Sequence, residues 1–203
     1  MENDGLQWNS GLEKEGGSDK HTGPTVSAQP LRLQWIHGDR FIRKDEESGL
    51  GVAQMEEASL EMLNHLMKLE DDIFGEESVG EWFIVSNVRH GNVLVLVDLK
   101  TRRSIGIAIL MRDWADIQRC YLSDFGVKAG YRGRGLGSYF LGVVLEEVRL
   151  MGIHQVSLTV DVNNSAAIGL YRKFGFSIAE ERKNLYGEGR DRYVMELELE
   201  PDS

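Results

Sequence analysis

One segment constrains this chain more than any other: Lys128-Ala129-Gly130-Tyr131-Arg132-Gly133-Arg134-Gly135-Leu136-Gly137-Ser138. A strand is expected before it, over Tyr121 to Val127. An amphipathic helix is expected after it, where Phe140, Leu141, Val144, Leu145, Val148 and Met151 recur at helical spacing up to a capping Gly152. Gly133, Gly135 and Gly137 leave the backbone unshielded at alternate positions, and Arg132 and Arg134 add positive charge. The loop opens into a helix whose first N–H groups have no intrahelical partner. Exposed amides and the helix dipole together make an anion site, for which phosphate is the natural ligand. No Gly-Lys-Ser/Thr follows, so the segment is not a P-loop. The dinucleotide spacing GxGxxG fails as well, because its third glycine falls on Ser138 or Phe140. No run of aromatic and basic residues supports contact with RNA. The remaining alternative is a tight strand-to-helix turn whose glycines serve packing alone.

The flanking sequence is mixed α and β. Residues 1–30 are polar with few large apolar side chains and read as a flexible tail, leaving one domain over 31–203. Leu31 to Ile36 alternates as a first strand, and Phe41 to Gly51 is charged and reads as loop. From Met55 to Phe74 a helical stripe of Leu60, Leu63, Leu66 and Met67 opposes Glu56, Glu57, Glu61 and Glu70. Residues 81–89 are open between strand and short helix. Val93 to Leu99 and Ser104 to Met111 read as strands joined by the polar turn Lys100-Thr101-Arg102-Arg103. Gln155 to Val162 is a β-branched strand, followed by a helix capped by Asn163 or Asn164 and ended by Gly175. Phe176 starts another strand, and Tyr193 to Leu199 closes the chain with strict alternation. An antiparallel run followed by βαβαββ places the fold in the α/β (α+β) class.

Composition removes several functions. The 203 residues carry a net charge of −10, which disfavours indiscriminate binding to nucleic acid or anionic membrane. The first residues lack the basic and apolar regions of a secretory signal, and apolar runs such as Val93 to Val97 are too short to span a bilayer. Cys120 is the only cysteine, and the five histidines lack metal-ligand spacing. A cytoplasmic protein without a metal is the expectation.

The glycine loop resembles the acetyl-CoA signature of the GNAT superfamily, Arg/Gln-x-x-Gly-x-Gly/Ala after a strand, which Arg132 to Gly137 fits throughout. A second block, Asn164, Ala167 and Leu170-Tyr171-Arg172-Lys173-Phe174-Gly175-Phe176, resembles the family's Asn-x-x-Ala-x-x-x-Tyr-x-x-x-Gly-Phe segment at the usual separation. The resemblance implies a single domain with a mixed, mostly antiparallel sheet flanked by helices on both faces. It also implies direct transfer of an acetyl group from acetyl-CoA to a primary amine. On that basis the amides of Arg132, Gly133, Arg134, Gly135, Leu136, Gly137 and Ser138 would hold the pyrophosphate. Phe125, Gly126 and Val127 would pair with the pantetheine arm, Asn164 would contact it, and Tyr171 would protonate the departing thiolate.

The family's base is the point of departure. Thr159 and Tyr121 stand where relatives carry a carboxylate, which leaves Asp124 as candidate base, or a water-relayed path. Asp161 is the other nearby acid. The run from Lys183 to Met195 resembles ribosomal-protein N-terminal acetyltransferases and makes Tyr186 a candidate substrate contact. A peptide or protein N-terminus or a lysine is therefore the expected acceptor, for a monomer or homodimer. The alternatives are a small amine (polyamine, amino acid or aminoglycoside) or an acetyl-CoA sensor without turnover. Charge is segregated along the chain: twelve acids and one base lie between Asp45 and Glu81, and eight bases against three acids between Lys100 and Arg134. That pattern suggests an acidic acceptor side favouring cationic amines and a basic cofactor side.

Overall fold

The computed structural model describes residues 40–56 and 59–200. The expected tail, its boundary at residue 30 and the strand at Leu31 to Ile36 lie outside these residues. Within them the order is β1 (Phe41–Asp45), β2 (Leu50–Met55), α1 (Leu60–Phe74), α2 (Glu81–His90), β3 (Asn92–Asp98), β4 (Arg103–Arg112), β5 (Arg119–Val127), α3 (Leu136–Leu150), β6 (Gln155–Asp161), α4 (Ser165–Lys173), β7 (Ser177–Arg182) and β8 (Arg192–Glu198). A short 3₁₀ turn, Gly75–Glu77, follows α1.

The strands form one sheet ordered β1-β2-β3-β4-β5-β6-β8-β7. Every pairing is antiparallel except β5 with β6. β3 explains this layering most simply. Val93, Val95 and Val97 pack with Leu66, Leu69 and Ile84 of α1 and α2 on one face. Leu94 and Leu96 pack with Phe140, Leu141 and Val144 of α3 on the other. A central strand covered on both faces is continuously apolar, which is the pattern the sequence displays. Each fully buried side chain of this size contributes about 1.5–3 kcal/mol.

Two expectations need correction, and one open stretch is decided. The charged stretch from Phe41 is a β-hairpin, not a loop. Asp45 Oδ1 accepts from the N–H groups of Glu47 (3.1 Å) and Ser48 (3.0 Å), and Gly49 takes φ +72° to close the turn. β1 is an edge strand, where charged side chains are tolerated and block further pairing. The first helix begins at Leu60, capped by Ser59 Oγ accepting from Met62 N–H, while Met55 ends β2. The open stretch at residues 81–89 is helix: Ile84, Asn87 and Val88 form a buried i, i+3, i+4 stripe that outweighs the β-propensity of Trp, Phe, Ile and Val.

Candidate active site

The site begins with two strands parting. β5 and β6 pair in parallel only from Arg119 and Gln155 to Leu122 and Leu158. Beyond that point β5 stays with β4 to Val127 and β6 with β8 to Asp161. Ile109 faces Asp124 and Leu110 faces Leu122, so Ser123 is an extra residue, a β-bulge that turns β5 away. The edge of residues 123–127 facing the gap therefore has no neighbouring strand, and an extended ligand can pair with it as one. α1 packs tightly against this stretch. A Cβ on Gly126 would lie 2.4 Å from Ile73 Cγ2 and 3.0 Å from Phe74 Cζ, so only glycine fits.

The glycine loop follows at the open end of β5. Gly133 and Gly135 adopt φ +75° and +77°, a left-handed conformation that favours glycine. α3 begins at Leu136, so Leu136, Gly137 and Ser138 form its first turn. The first i→i−4 bond runs from Tyr139 N–H to Gly135 O at 3.0 Å. Arg132 plays a part the sequence did not suggest. Its Nε donates to Val127 O (2.9 Å) and its Nη2 to Ile73 O (3.1 Å), tying the loop to β5 and α1. Arg134 lies 5.6 Å above the Tyr131 ring. A cation that sequence reasoning passed over stands beside the first turn of α3: Lys173 Nζ donates to Ser138 Oγ at 3.4 Å.

A cavity of about 580 Å³ fills the fork. Its walls include Tyr121, Asp124 and Phe125 of β5, Thr159 and Asp161 of β6, Asn164 and Tyr171 at α4, and Tyr186, Arg190 and Arg192. Asn164 is the α4 cap, its Oδ1 accepting from Ala167 N–H at 3.1 Å. Tyr171 is buried, edge-on to Phe125 with ring centroids 6.4 Å apart. Burial, and then the charges of Tyr121 and Asp124, raise its hydroxyl well above the usual tyrosine range. The phenol is thus fully protonated at neutral pH, as a proton donor must be.

Asp124 accepts a hydrogen bond from Ser123 Oγ, and burial raises its pKa despite that bond. Tyr121, Thr159 and Tyr186 form a cluster. Tyr121 OH lies 2.8 Å from Thr159 Oγ1, which lies 3.1 Å from Tyr186 OH. Burial, countered in part by the Thr159 hydrogen bond, pushes Tyr121 up to about 12. Tyr121 and Thr159, where the resemblance led one to expect a carboxylate, are thus joined through hydroxyl groups. Arg192, 7% exposed, holds the outer wall. Its guanidinium bonds Asp161 Oδ2, comes within 3.6 Å of Glu77 Oε1 and sits 5.4 Å from the Tyr186 ring. Asp161 is therefore committed to an ion pair. Cys120 is buried and pushed up to about 12 by burial, which removes it as a nucleophile.

Two further readings of the sequence change. Glu70, placed on the outward face of its helix, is fully buried. It lies four residues after Leu66 and three before Ile73, so its position on the apolar stripe was the available signal. The charge segregation along the chain is only partly spatial. Glu76, Glu77, Asp124 and Asp161 do line the cavity in the fork, whereas Asp45 lies in the β1–β2 hairpin. Of the basic stretch, Arg112 and Arg119 flank the loop before β5, at the end of the sheet opposite the glycine loop. Among the described residues no group of three His, Cys, Asp or Glu side chains is arranged to hold a metal ion, and no helix is long and apolar enough to cross a membrane.

Residues 60–176, more than half of the chain, match the model of the acetyltransferase (GNAT) family. The chain belongs to that family. Its sheet, opened between a bulged strand and its parallel neighbour, is the GNAT fold. The chain is similar to the L-methionine sulfoximine/L-methionine sulfone acetyltransferase of Pseudomonas aeruginosa, 33% identical over 78 residues. That match covers 37% of this chain and 45% of the relative, so the chain spans less than half of that relative's length. It is also similar to a putative [ribosomal protein bS18]-alanine N-acetyltransferase of Bacillus subtilis, 28% identical over 67% of this chain and 89% of the relative. In three dimensions it resembles the ribosomal-protein-S18-alanine N-acetyltransferase of Escherichia coli, with a TM-score of 0.62 and 22% identity over 75% of this chain and 96% of the other.

Proposed function

We propose that this protein is a cytoplasmic N-acetyltransferase that moves an acetyl group from acetyl-CoA to the primary amine of a peptide or protein, at its N-terminus or a lysine. The observation that carries this is the fork. One cavity brings together an unpaired strand edge, a protonated phenol and a carboxylate raised by burial. The residues present fit acetyl-CoA. The edge of residues 123–127 offers backbone groups to an extended amide-bearing arm. Gly133, Gly135 and the first-turn N–H groups of α3 offer an anion site to the pyrophosphate, with Lys173 beside them. Bound there, acetyl-CoA supplies the acetyl group.

The chain's own residues would then divide the work. Asp124 removes a proton from the acceptor ammonium, since only the neutral amine attacks. Tyr171 gives a proton to the departing sulfur. Tyr121, Thr159 and Tyr186 orient the acceptor through their hydroxyl cluster, and holding the two reactants together supplies much of the acceleration. Four acids, Glu76, Glu77, Asp124 and Asp161, outnumber Arg190 and Arg192 there and leave the acceptor end net acidic, which favours a cationic amine. The similarity to the bS18-alanine acetyltransferase supports a protein N-terminus.

A second reading has one observation in its favour. Arg190 lines the acceptor end and can pair with the carboxylate of a free amino acid, and the Pseudomonas relative is named for amino-acid substrates. The test is release of CoA thiol from acetyl-CoA across peptides with free N-termini, N-blocked lysine peptides, free amino acids, polyamines and aminoglycosides. Release with peptides is expected. Release with free amino acids alone would shift the assignment. No release with any amine, while CoA still raises the melting temperature, would leave a binding protein.

A further inference from the structure

α1 carries a carboxylate that packing alone does not explain. Glu70 is fully buried. Its Oε2 accepts from Val79 N–H at 3.3 Å, and its Oε1 has no hydrogen-bond partner among the described residues. A buried carboxylate with so little compensation is costly when charged. Its surroundings belong to the site. Ile73 and Phe74, the next turn of α1, abut Gly126 of β5, and Phe74 and Val79 line the cavity alongside Asp124.

The charges acting on Glu70 are both negative: Asp124 across from β5 and Asp71 beside it on α1. The nearby cations are engaged elsewhere. Lys128 pairs with Asp72 at 2.9 Å, Arg132 bonds two backbone carbonyls, and Arg192 pairs with Asp161 and Glu77. Tyr121 and Tyr171, the other titratable groups near Asp124, are both raised and stay neutral. Burial, and then the charge of Asp124, push Glu70 up to about 8. Val79, whose N–H Glu70 accepts, lines the same cavity as Asp124, and two carboxylates sharing one buried setting disfavour each other's charge.

We propose that Glu70 and Asp124 form a carboxylate pair that holds one proton at neutral pH, with Glu70 as the protonated positioning member and Asp124 as the member that meets the acceptor amine. This rests on the acetyltransferase reading above. The proton count closes. The ammonium gives its first proton to the pair, which passes from one negative charge to none and later returns the proton to solvent. The C–N bond forms as the C–S bond breaks. The nitrogen's second proton replaces the one that Tyr171 gives to sulfur. Above pH 8 Glu70 ionises as well, the pair carries two negative charges, and Asp124 becomes the stronger base.

Carboxyl-selective ¹³C NMR on the full chain without substrate tests the pair. One glutamate resonance, identified by its loss in Glu70→Gln, is expected to titrate near pH 8 rather than near the ordinary ~4.3. In Asp124→Asn its midpoint should fall by about one pH unit or more. A midpoint below pH 6, or one unmoved by Asp124→Asn, overturns the proposal. A kinetic readout complements it. With an N-blocked lysine peptide, whose amine titrates near ~10.4, kcat/KM should rise through an inflection near pH 8 that Glu70→Gln removes. An inflection that persists in Glu70→Gln also overturns the pair. The NMR needs no turnover. An intact coupling in a protein that acetylates nothing would defeat the acetyltransferase reading and keep the pair, whereas normal turnover without coupling would do the reverse.

Discussion

The two ends of the fork are built on different principles. The proposed cofactor end is made of backbone: an unpaired strand edge, two left-handed glycines and the first turn of α3. The proposed acceptor end is made of side chains drawn from five places in the chain: Glu77, Tyr121 with Asp124, Thr159 with Asp161, Tyr186, and Arg192. Backbone groups bind whatever presents phosphate and amide, regardless of the rest of the molecule. Side chains discriminate among acceptors and carry protons. Changes at one end should therefore leave the other's measurable property intact.

Asp124→Asn should show the largest effect. It removes the proposed base and should lower kcat/KM by roughly 10²–10⁴-fold, with the CoA dissociation constant from calorimetry unchanged; parity with the parent in turnover would mean that water alone takes the proton. Next, Tyr171→Phe should slow turnover by about 10²-fold at saturating acetyl-CoA, since it loses the proton donor but keeps the ring packing on Phe125. If turnover is unchanged, Tyr171 is a core residue. Gly135→Val forces a β-branched residue into φ +77° and should weaken CoA binding by roughly 10–100-fold, on the order of one or two lost charge-assisted bonds. Its acceptor KM should move little, and a changed KM with an unchanged CoA constant would invert the comparison. Tyr186→Phe, which removes the hydroxyl 3.1 Å from Thr159, should raise the acceptor KM only about 5-fold.

The same contrast explains what the sequence disclosed. The glycine loop was legible because it is contiguous: glycines at alternate positions between a strand and a helix define it within eleven residues, Lys128 to Ser138. The apolar run of β3 likewise announced a strand covered on both faces. The hydroxyl cluster resisted reading because topology alone assembles it. Tyr121, Thr159 and Tyr186 lie far apart in sequence and meet only once β5, β6 and the β7–β8 loop are in place. Glu70 was read as a surface acid among other acids, although its spacing from Leu66 and Ile73 places it on the buried stripe. The β1–β2 hairpin was hidden because an edge strand needs little apolar character and its turn is closed by the Asp45 side chain and Gly49.

Steady-state release of CoA thiol from acetyl-CoA, with a free-N-terminus peptide set against the same peptide blocked at its amine, tests the central claim most directly. Release with the free peptide, loss of that release on blocking, and a matching mass gain of one acetyl group on the peptide are expected. Thiol release at the same rate from both, with no acetylated peptide, would contradict it.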